Sequence, residues 1–134
     1  MRIYLAARYS RHPEMRRYRE DLKALGHTVT SRWINGEHEM SNDSADEGQT
    51  RRFAEEDWDD LVGADCVISF TEPPRSTNSR GGRHVEFGIA LGLGLGVIVV
   101  GPRENVFHYL GGVEAYETWE ACLEQAKAAH RAKP

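Results

Sequence analysis

Cysteine is scarce in this chain. Two residues, Cys66 and Cys122, stand far apart in 134 positions and belong to no CxxC pair. That excludes a disulfide framework and a thiolate zinc site, and makes a reducing cytoplasm the expected compartment. The six histidines show no HExxH or paired spacing, so no metal is expected. Long apolar runs are also lacking. The richest, from Phe87 to Gly101, is broken by glycines and closed by Pro102, short of the ~20 residues of a membrane span. The first residues carry Arg2 and Arg8 without the apolar core of a signal peptide, so a soluble protein without a membrane partner is expected. Positive charge is in deficit, with 17 Lys and Arg against 21 Asp and Glu. Polymeric nucleic acid is therefore not an expected partner. The glycines at 92, 94 and 96 follow a helical pattern, precede a strand, and have no third glycine at the required spacing. They are not a dinucleotide fingerprint, and no cofactor is expected. No repeat, low-complexity tract or linker divides the chain, and residues 1–134 are expected to form a single domain.

The elements that are present alternate. "RIYLAA" (2–7) is a short apolar run that predicts a buried strand. A helix follows, with Ser10 as its cap, Pro13 and Glu14 in its first turn, and Gly26 as its stop. "HTVTSRW" (27–33) alternates and is β-branched, which predicts a second strand. The polar stretch 34–48 predicts a long loop, a length often reserved for lids. Residues 49–64 place apolar side chains at helical spacing, and "DCVISF" (65–70) predicts the third strand. After the irregular 71–80 segment, Gly81 and Gly82 lead into a buried helix and the strand "GVIVVG" (96–101). An edge strand near Val113 and an amphipathic helix over 117–132 complete the pattern. Strands alternating with helices predict a Rossmann-like three-layer α/β/α sandwich around a parallel sheet of about five strands. Ligands in such folds sit beyond the carboxyl ends of the strands. That rule gathers the segments after each strand along one edge.

Within "RHVEFGIALGLG", Glu86 is a carboxylate at the start of an otherwise apolar helix. A helix amino terminus and Arg83 would stabilise it as an ordinary surface group. Its neighbours Val85, Phe87, Gly88 and Ile89 instead predict a poorly solvated crevice, where a carboxylate becomes a nucleophile or a base. Asp57, in "EEDWDD", belongs to a run of acids that suits a solvated helix face. It also stands where a helix leads into the third strand. Two carboxylates in unlike environments are what glycosidic chemistry uses, one at the anomeric carbon and one moving a proton at the leaving group. Tyr4 on the first strand either packs as core or orients a carboxylate through its hydroxyl. Arg8, Ser10 and Arg11 at the start of the first helix form a candidate anion site or a plain cap with surface arginines.

"IYLAARYS", "DWDDLVGADCVISF" and "GGRHVEFGIALGLGLGVIVVG", in that order, resemble the nucleoside 2-deoxyribosyltransferase family, which includes 2'-deoxynucleoside 5'-monophosphate N-glycosidases. The similarity spans roughly residues 2 to 113. The resemblance implies that Glu86 attacks C1' of a deoxyribose to form a covalent glycosyl-enzyme, that Tyr4 orients it, and that Asp57 handles the proton on the base. It also implies a homodimer or larger homo-oligomer whose sites share residues, with Asn105 or His108 placed where a neighbouring subunit contacts substrate. The work implied is base exchange on nucleosides in nucleotide metabolism and salvage.

The sequence departs from the transferase pattern at one point. Transferases of the family carry a further acid shortly before the glutamate, to hold the sugar hydroxyls. This chain has Arg80 there, beside Ser79 and followed by Gly81 and Gly82. The monophosphate hydrolases instead use serine there, and arginine and serine after strand one. Arg8, Ser10, Ser79 and Arg80 lean that way, although "SRGGRHVE" is longer than the hydrolase pattern. Three readings stay open at this level. They are transfer of deoxyribose between bases, hydrolysis of a 5'-monophosphate to free base, and a catalytically silent nucleotide-binding module.

Overall fold

The central strand explains the architecture. Cys66–Phe70 (β3) is buried along its whole length, because a parallel strand covered on both faces needs an unbroken apolar run. The computed structural model describes residues 1–37 and 46–133. Around β3 lie Arg2–Ala6 (β1), Thr28–Val29 (β2), Gly96–Val100 (β4) and Val113–Tyr116 (β5), all parallel, in the order β2-β1-β3-β4-β5. The helices are His12–Ala24 (α1), Glu47–Val62 (α2), Gly82–Gly92 (α3) and Trp119–Arg131 (α4). The α/β class and the five-stranded parallel sheet match the sequence expectation. None of the described helices is long and apolar enough to cross a membrane.

Alternation along β1 sorts the layers. Ile3 turns toward α1 and α4, where Trp119 stacks on Tyr18 at 4.5 Å and donates its indole N–H to Asp21. Tyr4, one residue on, faces the opposite layer formed by α2 and α3. The chain leaves β1 toward β2 and then returns across it to β3. The gap between β1 and β3 is therefore the switch point, where loops diverge and a crevice opens.

Three local expectations are corrected. The second strand is only Thr28–Val29, and Arg32–Asn35 forms a 3-10 turn. The turn wins because its side chains bond β1 and α2. Ser31 Oγ accepts from Leu5 N–H, Trp33 Nε1 donates to Leu5 O, and Asp60 takes both the backbone N–H and the guanidinium of Arg32. Ser10 does not cap α1. It sits inside a 3-10 turn at Tyr9–Arg11, and Arg11 occupies the cap position without a side-chain hydrogen bond. Helix α2 begins at Glu47, earlier than expected, because the Asp46 carboxylate accepts from Gly48 N–H. Of the expected 34–48 loop, residues 38–45 lie outside the described residues, and 47–48 belong to α2.

Two glycines shape the edge where the site lies. Gly81 caps α3 with φ +84°, a left-handed conformation that a side chain disfavours. Gly101, after β4, has φ +115°, and a Cβ there would stand 2.5 Å from Thr71 Oγ1. The loops after β3 and β4 meet at that point.

Candidate functional site

A cleft of about 620 Å³ opens at the carboxyl end of the sheet, beside the β1/β3 switch point. That volume suits a small organic ligand. One wall comes from the segment after β1, with Ala7, Arg8, Tyr9 and Ser10. Asp57 enters from α2, and Gly82, Arg83 and Glu86 from the first turns of α3. Residues 77–80, including Ser79 and Arg80, form the outer lip. Segments distant in sequence converge here because the chain after β1 and after β3 emerges at the same edge, and α2, packed on α3, brings in Asp57.

Glu86 is the chemical centre of the cleft. The residue is half-buried, and its Oε2 is closed to solvent. Burial pushes its carboxyl up to about 8. The negative charge of Asp57 adds to the rise, and the Tyr4 hydroxyl opposes it. The physical cause is simple: a carboxylate loses hydration in the crevice, and a second carboxylate stands nearby. Tyr4 is fully buried. Burial first, then the charges of Glu86 and Asp57, drive its hydroxyl well above the usual phenol value, so it stays protonated and can only donate to them. Neither the Tyr4 hydroxyl nor Glu86 Oε2 meets strict hydrogen-bond geometry. The two nevertheless lie close enough for the hydroxyl to favour the ionised carboxylate.

The other sequence candidates divide. Arg8, Ser10, Ser79, Arg80 and Gly82 line the cleft. Arg11 does not. Its guanidinium is taken up by both oxygens of Glu14 at 2.9 and 2.6 Å, by Glu72 at 2.8 Å and by Thr71 O at 3.3 Å. Gly81 shapes the entry to α3 and is not in the wall. Asn105 spends its side chain capping the 3-10 turn Val106–Tyr109, accepting from Phe107 N–H. His108 is fully buried against the edge of Phe87, with Nδ1 accepting from Glu104 N–H. Neither reaches the cleft of its own chain, and the burial of His108 withholds it from a neighbour as well.

Some cleft residues escaped the sequence reading. Trp33 and Tyr9 lie 6.2 Å apart between ring centres and give one wall an aromatic face. The signal in the sequence is that Trp33 ends the segment returning over β1, although the alternation there predicts a strand where the chain forms a 3-10 turn. Arg83 is buried in the wall and held by Glu104, through a short Nη1 contact and an Nη2–Oε1 bond of 2.9 Å. Burial disfavours the Glu104 charge, yet Arg83 and the Glu72 N–H hold its carboxyl below the usual range. Among the described residues no cluster of His, Cys, Asp and Glu is placed to hold a metal ion.

A second cavity, of about 270 Å³, lies between α1, α4 and the sheet. It is lined by both cysteines and by none of the candidate residues. Burial drives Cys66 up to about 12 and Cys122 to about 11, which keeps both as unreactive thiols.

Among solved structures, the chain is similar to a 2-deoxyribosyltransferase from the psychrotolerant bacterium Bacillus psychrosaccharolyticus. The TM-score is 0.73 at 21% identity, over 100% of this chain and 98% of that one. A Clostridium botulinum CMP N-glycosidase aligns with TM-score 0.59 at 22% identity, over 96% and 99% of the two chains. A conserved protein from Enterococcus faecalis aligns with TM-score 0.62 at 13% identity, over 96% and 98%. No family model and no curated protein matches the sequence. At these identities the likeness is one of fold, and the chain has the deoxyribosyltransferase fold.

Proposed function

We propose that the cleft cleaves the N-glycosidic bond of 2'-deoxynucleosides and transfers the sugar to another base. The observation that carries this reading is the placement of Glu86, Asp57 and Tyr4 together at a ligand-sized cleft, with Glu86 perturbed by burial. Glu86 attacks C1' as the carboxylate. The C1'–N bond breaks, and its electron pair leaves with the base, which takes a proton from Asp57. An acceptor base or water then attacks C1' and gives its proton to Asp57, and the Glu86–sugar ester bond breaks to restore the carboxylate. A carboxyl near 8 is largely protonated in neutral solution, so its proton must be lodged elsewhere before attack. Asp57 is the neighbouring group that can take it, and the two act as a coupled pair. Trp33 and Tyr9, their rings tilted 43° to each other, offer aromatic surface for a base.

Hydrolysis of a 5'-monophosphate is the second reading. It is favoured by Arg8, Ser10, Ser79 and Arg80 around the same cleft, where donors and guanidinium groups suit a dianion. The similar fold of a CMP N-glycosidase supports it. A homo-oligomer belongs to the same proposal. Val106, Phe107, Tyr109 and Leu110 form an exposed apolar cluster beside Asn105, of the kind that marks a protein contact.

The test is a product screen over deoxynucleosides and their monophosphates, with and without a free acceptor base. Base exchange that needs the acceptor supports transfer. Free base from a monophosphate alone supports hydrolysis. No base release from any substrate leaves a nucleotide-binding module. Intact-protein mass after mixing with substrate should show the sugar adduct, and Glu86→Ala should abolish it.

A further inference from the structure

Arg8 and Arg83, the two partly or fully buried cations of the cleft wall, are each held by a carboxylate outside it. Arg8 Nε lies 2.6 Å from Glu72 Oε1, and Arg83 binds Glu104. The two holders are joined, because Glu72 N–H donates to Glu104 Oε2 at 3.3 Å. Glu72 follows β3 directly and its side chain is only 9% exposed. Its second oxygen accepts from Arg11 at 2.8 Å. Arg11 is fixed in turn by Glu14, which accepts from Tyr18 O–H at 2.6 Å. A chain of alternating charge thus runs from the packed face of α1 to the lip of the cleft.

We propose that Glu72 is a positioning residue that sets Arg8 for an anionic substituent on the substrate, a 5'-phosphate. The inference rests on the nucleotide reading above. The Glu72 carboxylate stands against Nε, the inner nitrogen of the guanidinium fork, as an ion pair without an aligned hydrogen bond. The outer edge remains for the ligand, and the Arg8 side chain is 40% exposed. Glu72 also bridges two guanidinium groups that would otherwise repel. Arg11 keeps Glu14 if Glu72 is neutralised, whereas among the described residues Arg8 has no other acidic partner. Loss of the Glu72 charge therefore releases Arg8 alone, and an unfixed side chain loses rotamer entropy when it binds.

The experiment is titration calorimetry in a Glu86→Gln background, where ligand is not consumed. The probes are 2'-deoxyadenosine 5'-monophosphate, 2'-deoxyadenosine and inorganic phosphate. Glu72→Gln should weaken the monophosphate and inorganic phosphate about tenfold (~1.4 kcal/mol) and leave the nucleoside unchanged. Arg8→Ala should do the same, and the double variant should be no weaker than Arg8→Ala, since both act through one contact. Additive losses, equal loss for the nucleoside, or tighter phosphate binding in Glu72→Gln would each overturn the proposal. So would a wild-type cleft with no preference for the monophosphate. If Glu72→Gln does not fold, Arg8→Lys decides. Lysine keeps the charge but cannot face Glu72 and phosphate with two edges, so binding should still fall, and unchanged phosphate affinity refutes the idea. Failure of the glycosidase reading shows separately, as absence of base release by the unmodified protein.

Discussion

Glu86→Gln should inactivate the protein and, at high pH, stabilise it. Glutamine keeps the shape and removes the ionisable group. An ordinary glutamate ionises near 4.5, and in the folded chain this one is pushed up to about 8, mainly by burial. Below pH 4.5 the group is protonated in both the folded and unfolded chain, so the acid form costs nothing extra. Between those values the unfolded chain ionises while the folded one resists. The stability associated with the raised value is lost progressively, and is gone once pH passes the folded pKa. At ~1.4 kcal/mol per pH unit the full difference is ~5 kcal/mol, and partial exposure screens it to ~2–4 kcal/mol. With ~2–8 °C of Tm per kcal/mol for domains of this size class, the variant should melt at least ~4 °C above the wild type at pH 9. The two should converge near pH 4.5. Thermal melts of both proteins across this range provide the check. In the same range kcat/KM of the wild type should fall as pH passes about 8, because the proton shared by Glu86 and Asp57, which the leaving base needs, is then lost. A variant that melts lower at every pH would show a structural ion pair and refute the reasoning. So would a kcat/KM profile that stays flat through pH 8.

Asp57→Asn should slow release of natural bases by ~10²–10⁴-fold and barely affect a nucleoside whose leaving group needs no proton; equal losses in steady-state assays would return Asp57 to a packing role. Glu104→Gln should lower stability at neutral pH, since burial of an Arg83 without its counter-charge costs ~3–5 kcal/mol when a buried pair is broken. The wild-type advantage should disappear as pH falls below the ordinary glutamate value, because the folded carboxyl is held lower, and denaturant titrations at two pH values read this. Trp33→Ala should both lower Tm, by removal of a buried side chain worth ~3–5 kcal/mol, and raise KM for every substrate; unchanged KM would remove the aromatic wall from the site. Size-exclusion chromatography with light scattering should show an oligomer that Phe107→Glu converts to a smaller species, and a monomeric wild type would discount that surface.

The parallel sheet and its edge were legible in the residues themselves. Val67, Ile68, Val97 and Val99 lie in unbroken apolar runs, alternating with helical stretches, and that pattern has few packed solutions. Glu86 was legible because a carboxylate beside Val85, Phe87 and Ile89 contradicts its neighbourhood. The positions of Arg8, Ser10, Ser79 and Arg80 beside Glu86 followed from the rule that sites lie beyond strand ends. What local pattern could not decide was which charges pair. Arg8 and Arg11 are equivalent in "ARYSRH" and both meet Glu72, yet the turn at Tyr9–Arg11 leaves one in the cleft wall and locks the other onto Glu14. Trp33 reads as a strand residue until its indole N–H finds Leu5 O across the sheet edge. The resemblance offers Asn105 or His108 for a neighbour's substrate, and only the fold shows Phe87 covering His108. Hydrophobic period is a property of neighbours in sequence, and so survives in the string of letters. Ion pairing and burial of single polar groups depend on contacts between residues far apart in sequence, sixty-one positions for Arg11 and Glu72, and those contacts exist only once the sheet has brought its loops to one edge.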